Sequence, residues 1–96
     1  MSAYVVVNCE VTDPVKYDQY KALAPAAIAR HGGRYLARGG ATAMLEGHWE
    51  PKRIVILEFA SLAAAKAFHD SPEYRAARAL RAGAANMDIV AVEGIS

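Results

Sequence analysis

Three places in this sequence set ionisable groups where chemistry could use them. In "RIVILEF", residues 53–59, one carboxylate, Glu58, lies among four aliphatic residues and a phenylalanine. Walled by protein, it would be a partly desolvated acid or base able to exchange a proton with a small ligand. The alternative is an ion pair with Arg53, Arg38 or another strand's cation that only holds register. In "EGHW" a carboxylate, an imidazole and an indole (Glu46, His48 and Trp49) fall within four positions beside a glycine. His48 could take or give a proton near neutral pH, and Trp49 offers a flat apolar wall with one donor. Equally, Trp49 could seal the edge of an assembly while His48 stays in water. In "YLARGG", Arg38 carries the planar fork that pins a carboxylate or an enolate oxygen, or else salt-bridges to Glu46 or Glu58.

Tyrosines supply a further set. Tyr17, Tyr20, Tyr35 and Tyr74 could line a cleft and donate phenolic hydrogen bonds, although aromatic residues at helical spacing more often fill cores. Tyr74, in "SPEY", is the strongest candidate. His31 and His69 fall near helix ends, where an imidazolium favours the C-terminus, so capping is the simpler role for both. The histidines are 17 and 21 residues apart, with no H-x-H or H-E-x-x-H and a single cysteine, Cys9. No metal site is expected from such spacing. No cofactor is expected either, with haem ligation by one histidine as the alternative. The glycine pairs at 32–33 and 39–40 serve turns, since neither a P-loop nor a nucleophile elbow is present. Arg75, Arg78 and Arg81 make a basic stripe that a solvated helix face explains.

The elements that must position these groups follow from local pattern. "AYVVVNC", residues 3–9, is β-branched and aromatic enough for a strand. Asp13 then caps a helix whose first position is Pro14. Tyr17, Tyr20, Ala24, Ala27 and His31 recur along one face of it, Pro25 is expected to kink it, and "HGG" ends it. "RYLARG" reads as a second strand, residues 43–48 as a strand extension or hairpin arm, and "RIVILEFA" as the clearest strand. Ser61 opens a helix through "SLAAAKAFHD". Ser71, Pro72 and Glu73 start another that runs to about Arg81. "NMDIVAVEG" is the last strand.

The order βαββαβ predicts a ferredoxin-like α+β domain, an antiparallel sheet with its helices on one face. Three strands nonetheless carry apolar residues of both parities: Val5 and Val7 against Val6, Val55 and Leu57 against Ile54 and Ile56, Val90 and Val92 against Ile89 and Ala91. Helices cover one set. Burying a valine or isoleucine stabilises by about 1.5–3 kcal/mol, so half a dozen left wet would forfeit much of a small domain's stability. A homodimer joined sheet to sheet is therefore expected. By parity Glu58 shares the face of Ile54 and Ile56.

Composition bounds the rest. Ninety-six residues suit one domain, 1–96, and eleven basic against ten acidic residues give no general attraction to nucleic acid or anionic membrane. The longest apolar stretches fall short of the roughly twenty residues of a spanning helix, and neither a leader nor a disulfide pattern is seen. A soluble cytoplasmic protein is expected.

Together, "RHGGRYLARGG" at 30–40, "LEGHWEPKRIVILEF" at 45–59 and "SPEYRAARALR" at 71–81 resemble the domain of unknown function 1330 family, of the dimeric α+β barrel superfamily. The resemblance extends over essentially the whole chain, including "VTDPVKYDQY", and the family pattern contains the "EG.W" of residues 46–49. It implies a ferredoxin-like protomer whose sheets pair into a barrel-like dimer, with the sheet–helix cleft as the usual ligand site. Cofactor-free monooxygenases, muconolactone isomerases and haem-dependent enzymes elsewhere in the superfamily resemble it in architecture only, which cannot choose a reaction. The reading that results is a homodimer binding a small organic, possibly acidic, molecule. Glu58 or His48 would move a proton, and Arg38, Trp49, Tyr74, Glu46 and Tyr35 would contact the ligand. The competing reading is a binding or assembly module without catalysis.

Overall fold

Alternating burial along the first strand organises the molecule. In the computed structural model, which describes residues 1–95, β1 (Ala3–Val11) points Ala3, Val5, Val7 and Cys9 inward and Tyr4, Val6 and Asn8 to the other face. Ser96, within the single domain expected over 1–96, lies outside the described residues. β1 is central. On one side it pairs antiparallel with β3 (Ile54–Phe59), setting Val5 opposite Leu57 and Val7 opposite Val55. On the other it pairs antiparallel with β4 (Ala85–Glu93), setting Val7 opposite Ile89. β2 (Arg34–Arg38) adds to the outer side of β3, giving the order β2-β3-β1-β4. This is the ferredoxin-like α+β fold.

The helices begin where side chains can satisfy the first free amides. α1 (Pro14–Arg30) has Asp13 accepting from the Lys16 amide, α2 (Leu62–His69) has Ser61 accepting from Ala64, and α3 (Pro72–Arg81) has Ser71 accepting from Tyr74. Ser71 also donates to the Phe68 carbonyl at 2.7 Å, closing the junction between α2 and α3. α1 continues through Pro25 and ends at His31, after which Gly32 takes φ +75°. The segment expected as a hairpin arm, 43–48, forms neither strand nor helix: residues 39–53 are an irregular, largely exposed connection. Its apolar side chains are too few and too interrupted by glycine to pair.

All three helices cover the same sheet face. The core joins Val5, Leu57 and Phe59 of the sheet to Ala27 and Ile28 of α1, Phe68 of α2 and Ala77 of α3. Phe59 stacks on Phe68 with centroids 5.1 Å apart, and Phe68 meets Tyr74 at 4.4 Å. Gly33 allows this packing, since a Cβ there would stand 2.5 Å from the Phe59 ring. Helix α1 packs chiefly on α3 rather than on the sheet. That leaves a gap beneath it.

The opposite sheet face carries Val6, Ile54, Ile56, Val90 and Val92 and has no helix over it. Val90 is 61% exposed and Val92 52%. The molecule is only 16 Å deep in its shortest dimension, as two layers require.

Candidate functional site

The gap between sheet and helices is a cavity of about 450 Å³. Val5, Val7, Val55, Leu57 and Ile89 make its floor, and α1 and α2 its roof. The polar groups that enter it are few. Tyr17 and Tyr20 come from α1, Tyr35 and Arg38 from β2, Arg53 from the residue before β3, and His69 and Tyr74 from the α2–α3 corner, with the exposed Lys21, Lys66 and Asp70 bordering it.

A shift in strand pairing decides where Arg38 points. Arg34 lies opposite Glu58 and Tyr35 opposite Leu57, but Ala37 lies opposite Ile56, so Leu36 is skipped. Simple alternation would send Arg38 to the same face as Arg34. The bulge reverses the parity, and Arg38 joins Tyr35 inside, its guanidinium 4.6 Å from the ring centroid. Arg53 follows ordinary parity. Its carbonyl accepts from the Cys9 amide at 2.9 Å, which extends the β1–β3 ladder by one step and keeps it on the face of Val55 and Leu57. Gly39, at φ +69°, leaves the space that its guanidinium uses, since a Cβ there would come within 2.7 Å of Arg53 Nε.

The phenols are arranged as donors. Tyr20 Oη and Tyr74 Oη are 2.8 Å apart, and the Cys9 thiol donates to Tyr17 Oη at 3.6 Å. Burial pushes the Tyr20 phenol well above its usual range, reinforced by the neighbouring Tyr74 oxygen. Burial and then the Cys9 contact do the same for Tyr17, and burial raises Tyr35 against the pull of Arg38 and Arg53. All three therefore keep their protons at neutral pH. His69 is the one histidine lining the cavity; its Nε2 lies 3.3 Å from Arg78, which can only donate, so that nitrogen accepts. Burial first, then Arg78 and Arg81, lower its pKa. A haem held by His69 through Nε2 would compete with Arg78 for that nitrogen. Among the described residues no cluster of three His, Cys, Asp or Glu side chains is placed to hold a metal ion.

The candidates drawn from the sequence divide between two faces. Arg38, Tyr35 and Tyr74 line the cavity, as do Tyr17 and Tyr20. Glu58 lies on the other sheet face, where its carboxylate accepts from Arg34 Nε at 2.6 Å directly across the β2–β3 ladder. That is the register-holding arrangement, with a cation of another strand. Glu46 and His48 are exposed in the 39–53 connection. Trp49, 58% exposed, borders a shallow depression on the helix-free face with Val6, Asn8 and Val90. The Lys52 amide, bonded to Asn8 Oδ1 at 2.9 Å, ties the connection to that face. His31 closes α1 and contacts Glu73 at 3.4 Å. Of the α3 stripe, Arg75 pairs with Asp70, whereas Arg78 and Arg81 lie over the Tyr74 and Tyr20 rings and so brace the cavity from behind. Arg53 and His69 were not singled out for the cavity from sequence. Parity with Val55 and Leu57 was the available signal for Arg53.

The sequence pattern of the domain of unknown function DUF1330 matches residues 2–95. The chain belongs to that family. Among solved structures it resembles RPA0582, a protein of unknown function from Rhodopseudomonas palustris, with a TM-score of 0.76 and 19% identity over 99% of this chain and 83% of that one. It also resembles a dimeric ferredoxin-like protein of unknown function from Jannaschia sp. CCS1, with a TM-score of 0.69 and 16% identity over 98% of this chain and 100% of that one. A third is SnoaB, a cofactor-independent oxygenase from Streptomyces nogalater, at 0.66 and 12% over 99% and 94%. No curated protein matches the chain. Identities this low establish the shared fold and leave the reaction to be argued from the site. No helix among the described residues is long and apolar enough to cross a membrane.

Proposed function

We propose that this DUF1330 protein self-associates through its helix-free sheet face and takes a small, largely apolar organic molecule into the cavity between sheet and helices. The observation that carries the ligand reading is the cavity itself, whose volume of about 450 Å³ falls within the range of small-molecule sites. Its walls are mainly aliphatic and aromatic, with a few convergent polar groups, which is how such sites combine affinity with orientation. The self-association reading rests on the apolar face bearing Val90 and Val92, and on the dimeric state of a protein with the same fold.

The test is binding of a neutral naphthalene-based fluorophore, followed by titration and by thermal shift. Ala91→Phe fills the cavity from β4 and is expected to abolish binding. Val90→Thr, one residue away on the other face, leaves it intact. Equal binding by both variants overturns the assignment.

A catalytic version draws on the fold shared with SnoaB and on Arg38, which would hold the oxygen of an enolate formed by proton removal from an enolisable substrate. Glu58 and His48 stand outside the cavity of their own protomer. The proton acceptor in this version is therefore a group inside it or one brought by a second subunit. Deuterium uptake from solvent into a bound β-dicarbonyl compound, lost in Arg38→Met, is the expected signature. Uptake at the uncatalysed rate rejects it.

A further inference from the structure

The cavity's polar groups are unbalanced in two ways, and both point to the same kind of ligand. The first is hydrogen-bond polarity. Guanidinium and ammonium groups only donate. The phenols have protons to spare as well. In the Tyr20–Tyr74 contact one hydroxyl donates and the other keeps its proton, while Tyr17 Oη accepts from Cys9 and keeps its own. Tyr35 has no hydrogen-bond partner among the described residues. Several donors thus face the space without a protein acceptor.

The second imbalance is charge. The whole chain carries only one more basic than acidic residue. Around the cavity, however, Lys21, Arg38, Arg53 and Lys66 stand against a single carboxylate, Asp70, which is engaged by Arg75 at 2.5 Å. Among the described residues Arg38 and Arg53 have no carboxylate within ion-pair distance; Lys21 alone of these cations does, at 3.6 Å from Asp18. Arg34, on the opposite face, has Glu58. Of the cations without a carboxylate, Arg38 and Arg53 are the two that the bulge at Leu36 and the open backbone of Gly39 admit to the cavity; the third, Lys66, is exposed on α2.

Resting on the reading of the cavity as a ligand site, we infer that its ligand is an aromatic organic anion that presents oxygen acceptors and no donors. A carboxylate or an acidic enolate would be held at the Arg38 and Arg53 end, with the ring system on the aliphatic floor beneath Tyr20 and Tyr74. An ammonium ligand would meet only like charge there. A ligand rich in N–H or O–H groups could use the phenol oxygens as acceptors but would leave the guanidinium groups facing donors. A neutral hydrocarbon would desolvate the guanidinium groups without replacing their water.

The experiment compares three probes of one shape by isothermal titration at fixed ionic strength: 2-naphthoate, 2-naphthylmethylammonium and 2-methylnaphthalene. The carboxylate is expected to bind at least about tenfold more tightly than either of the others, as a charge-assisted hydrogen bond supports. Arg38→Met and Arg53→Met should each lower carboxylate affinity by about tenfold and leave 2-methylnaphthalene within about twofold. Equal affinity for carboxylate and hydrocarbon, or carboxylate affinity unchanged in both variants, overturns the inference and leaves the cavity a ligand site. Binding of none of the three overturns the ligand site itself, and the inference with it.

Discussion

Replacing Tyr20 with phenylalanine removes one oxygen from the 2.8 Å phenol pair and almost nothing else. Tyr20 is 9% exposed and Tyr74 3%, so the bond lies in the interior, bordered on one side by the cavity. A neutral hydrogen bond contributes about 0.5–1.5 kcal/mol net, and a buried partner left without one raises the loss toward about 1–3 kcal/mol. Water in the cavity can reach the remaining Tyr74 hydroxyl, which places the expected cost of Tyr20→Phe near about 1–2 kcal/mol. For a domain of this size that lowers Tm by about 4–8 °C per kcal/mol. Tyr74→Phe should cost a similar amount. The double variant should cost scarcely more than either alone, because the first substitution already breaks the bond. The coupling, about 1–2 kcal/mol and so close to the cost of one substitution, is the quantity to measure by urea unfolding at fixed protomer concentration.

The same pair predicts an alkaline limb. The Tyr20 phenol has a raised pKa in the folded protein, mainly through burial, so the unfolded chain loses its proton first. Its contribution to stability is whole below the ordinary tyrosine value of about 10 and is lost as pH rises from there toward the folded pKa. Tyr20→Phe should flatten the decline above about pH 10. Additive costs in the cycle, or an unchanged alkaline slope, would refute the pairing as described.

Val90→Asp places a charge on the helix-free sheet face at a position 61% exposed. Sedimentation should show smaller species while circular dichroism keeps the same fold; an unchanged sedimentation coefficient counts against self-association there. Gly39→Ala forces a Cβ onto a backbone at φ +69° and toward Arg53, so a loss of about 1–2 kcal/mol by thermal melting should accompany weaker binding of a carboxylate probe. His69, whose pKa is lowered by burial and then by Arg78 and Arg81, stays neutral in the fold after the unfolded chain has begun to protonate. Its stabilisation is whole above about 6.5 and falls as pH drops below that, so His69→Gln should show a shallower decline between about pH 6.5 and 5. An unchanged slope there removes His69 from the acid response.

The layered fold was legible because its signals are local and repeated. Val5 and Val7 against Val6, or Leu57 against Ile56, reveal a strand with two apolar faces without any knowledge of its neighbours. Asp13-Pro14, Ser61 and Ser71-Pro72 mark helix starts through hydrogen bonds that span three residues. The tyrosines that line the cavity were also visible, by helical spacing for Tyr17 and Tyr20. Which acid or base shares a space with them was not. Glu58 was placed on the correct face by parity, but its partner, Arg34, depended on the β2–β3 register. Arg38 reaches the cavity only through the skipped Leu36, a shift that nothing in "RYLARGG" announces. The 39–53 connection, with Glu46, His48 and Trp49, contains no periodic pattern from which a position could follow.

The separation of Glu58 from the cavity bears on how a charge in a strand is to be understood. A carboxylate among aliphatic residues is costly if it stays unpaired, and the fold removes that cost by setting Arg34 opposite it, on the face that the helices leave free. On the other face the situation is reversed. Arg38 and Arg53 enter a space lined mainly by phenols and aliphatic side chains, and among the described residues no carboxylate lies within ion-pair distance of either. Arg38 is exposed and Arg53 half-buried, so both keep contact with water. An anion able to replace that water would satisfy the guanidinium groups as Glu58 satisfies Arg34. The sheet thus carries one completed ion pair and, a pleat away, two cations that have no carboxylate partner among the described residues. The second arrangement is the one open to a ligand.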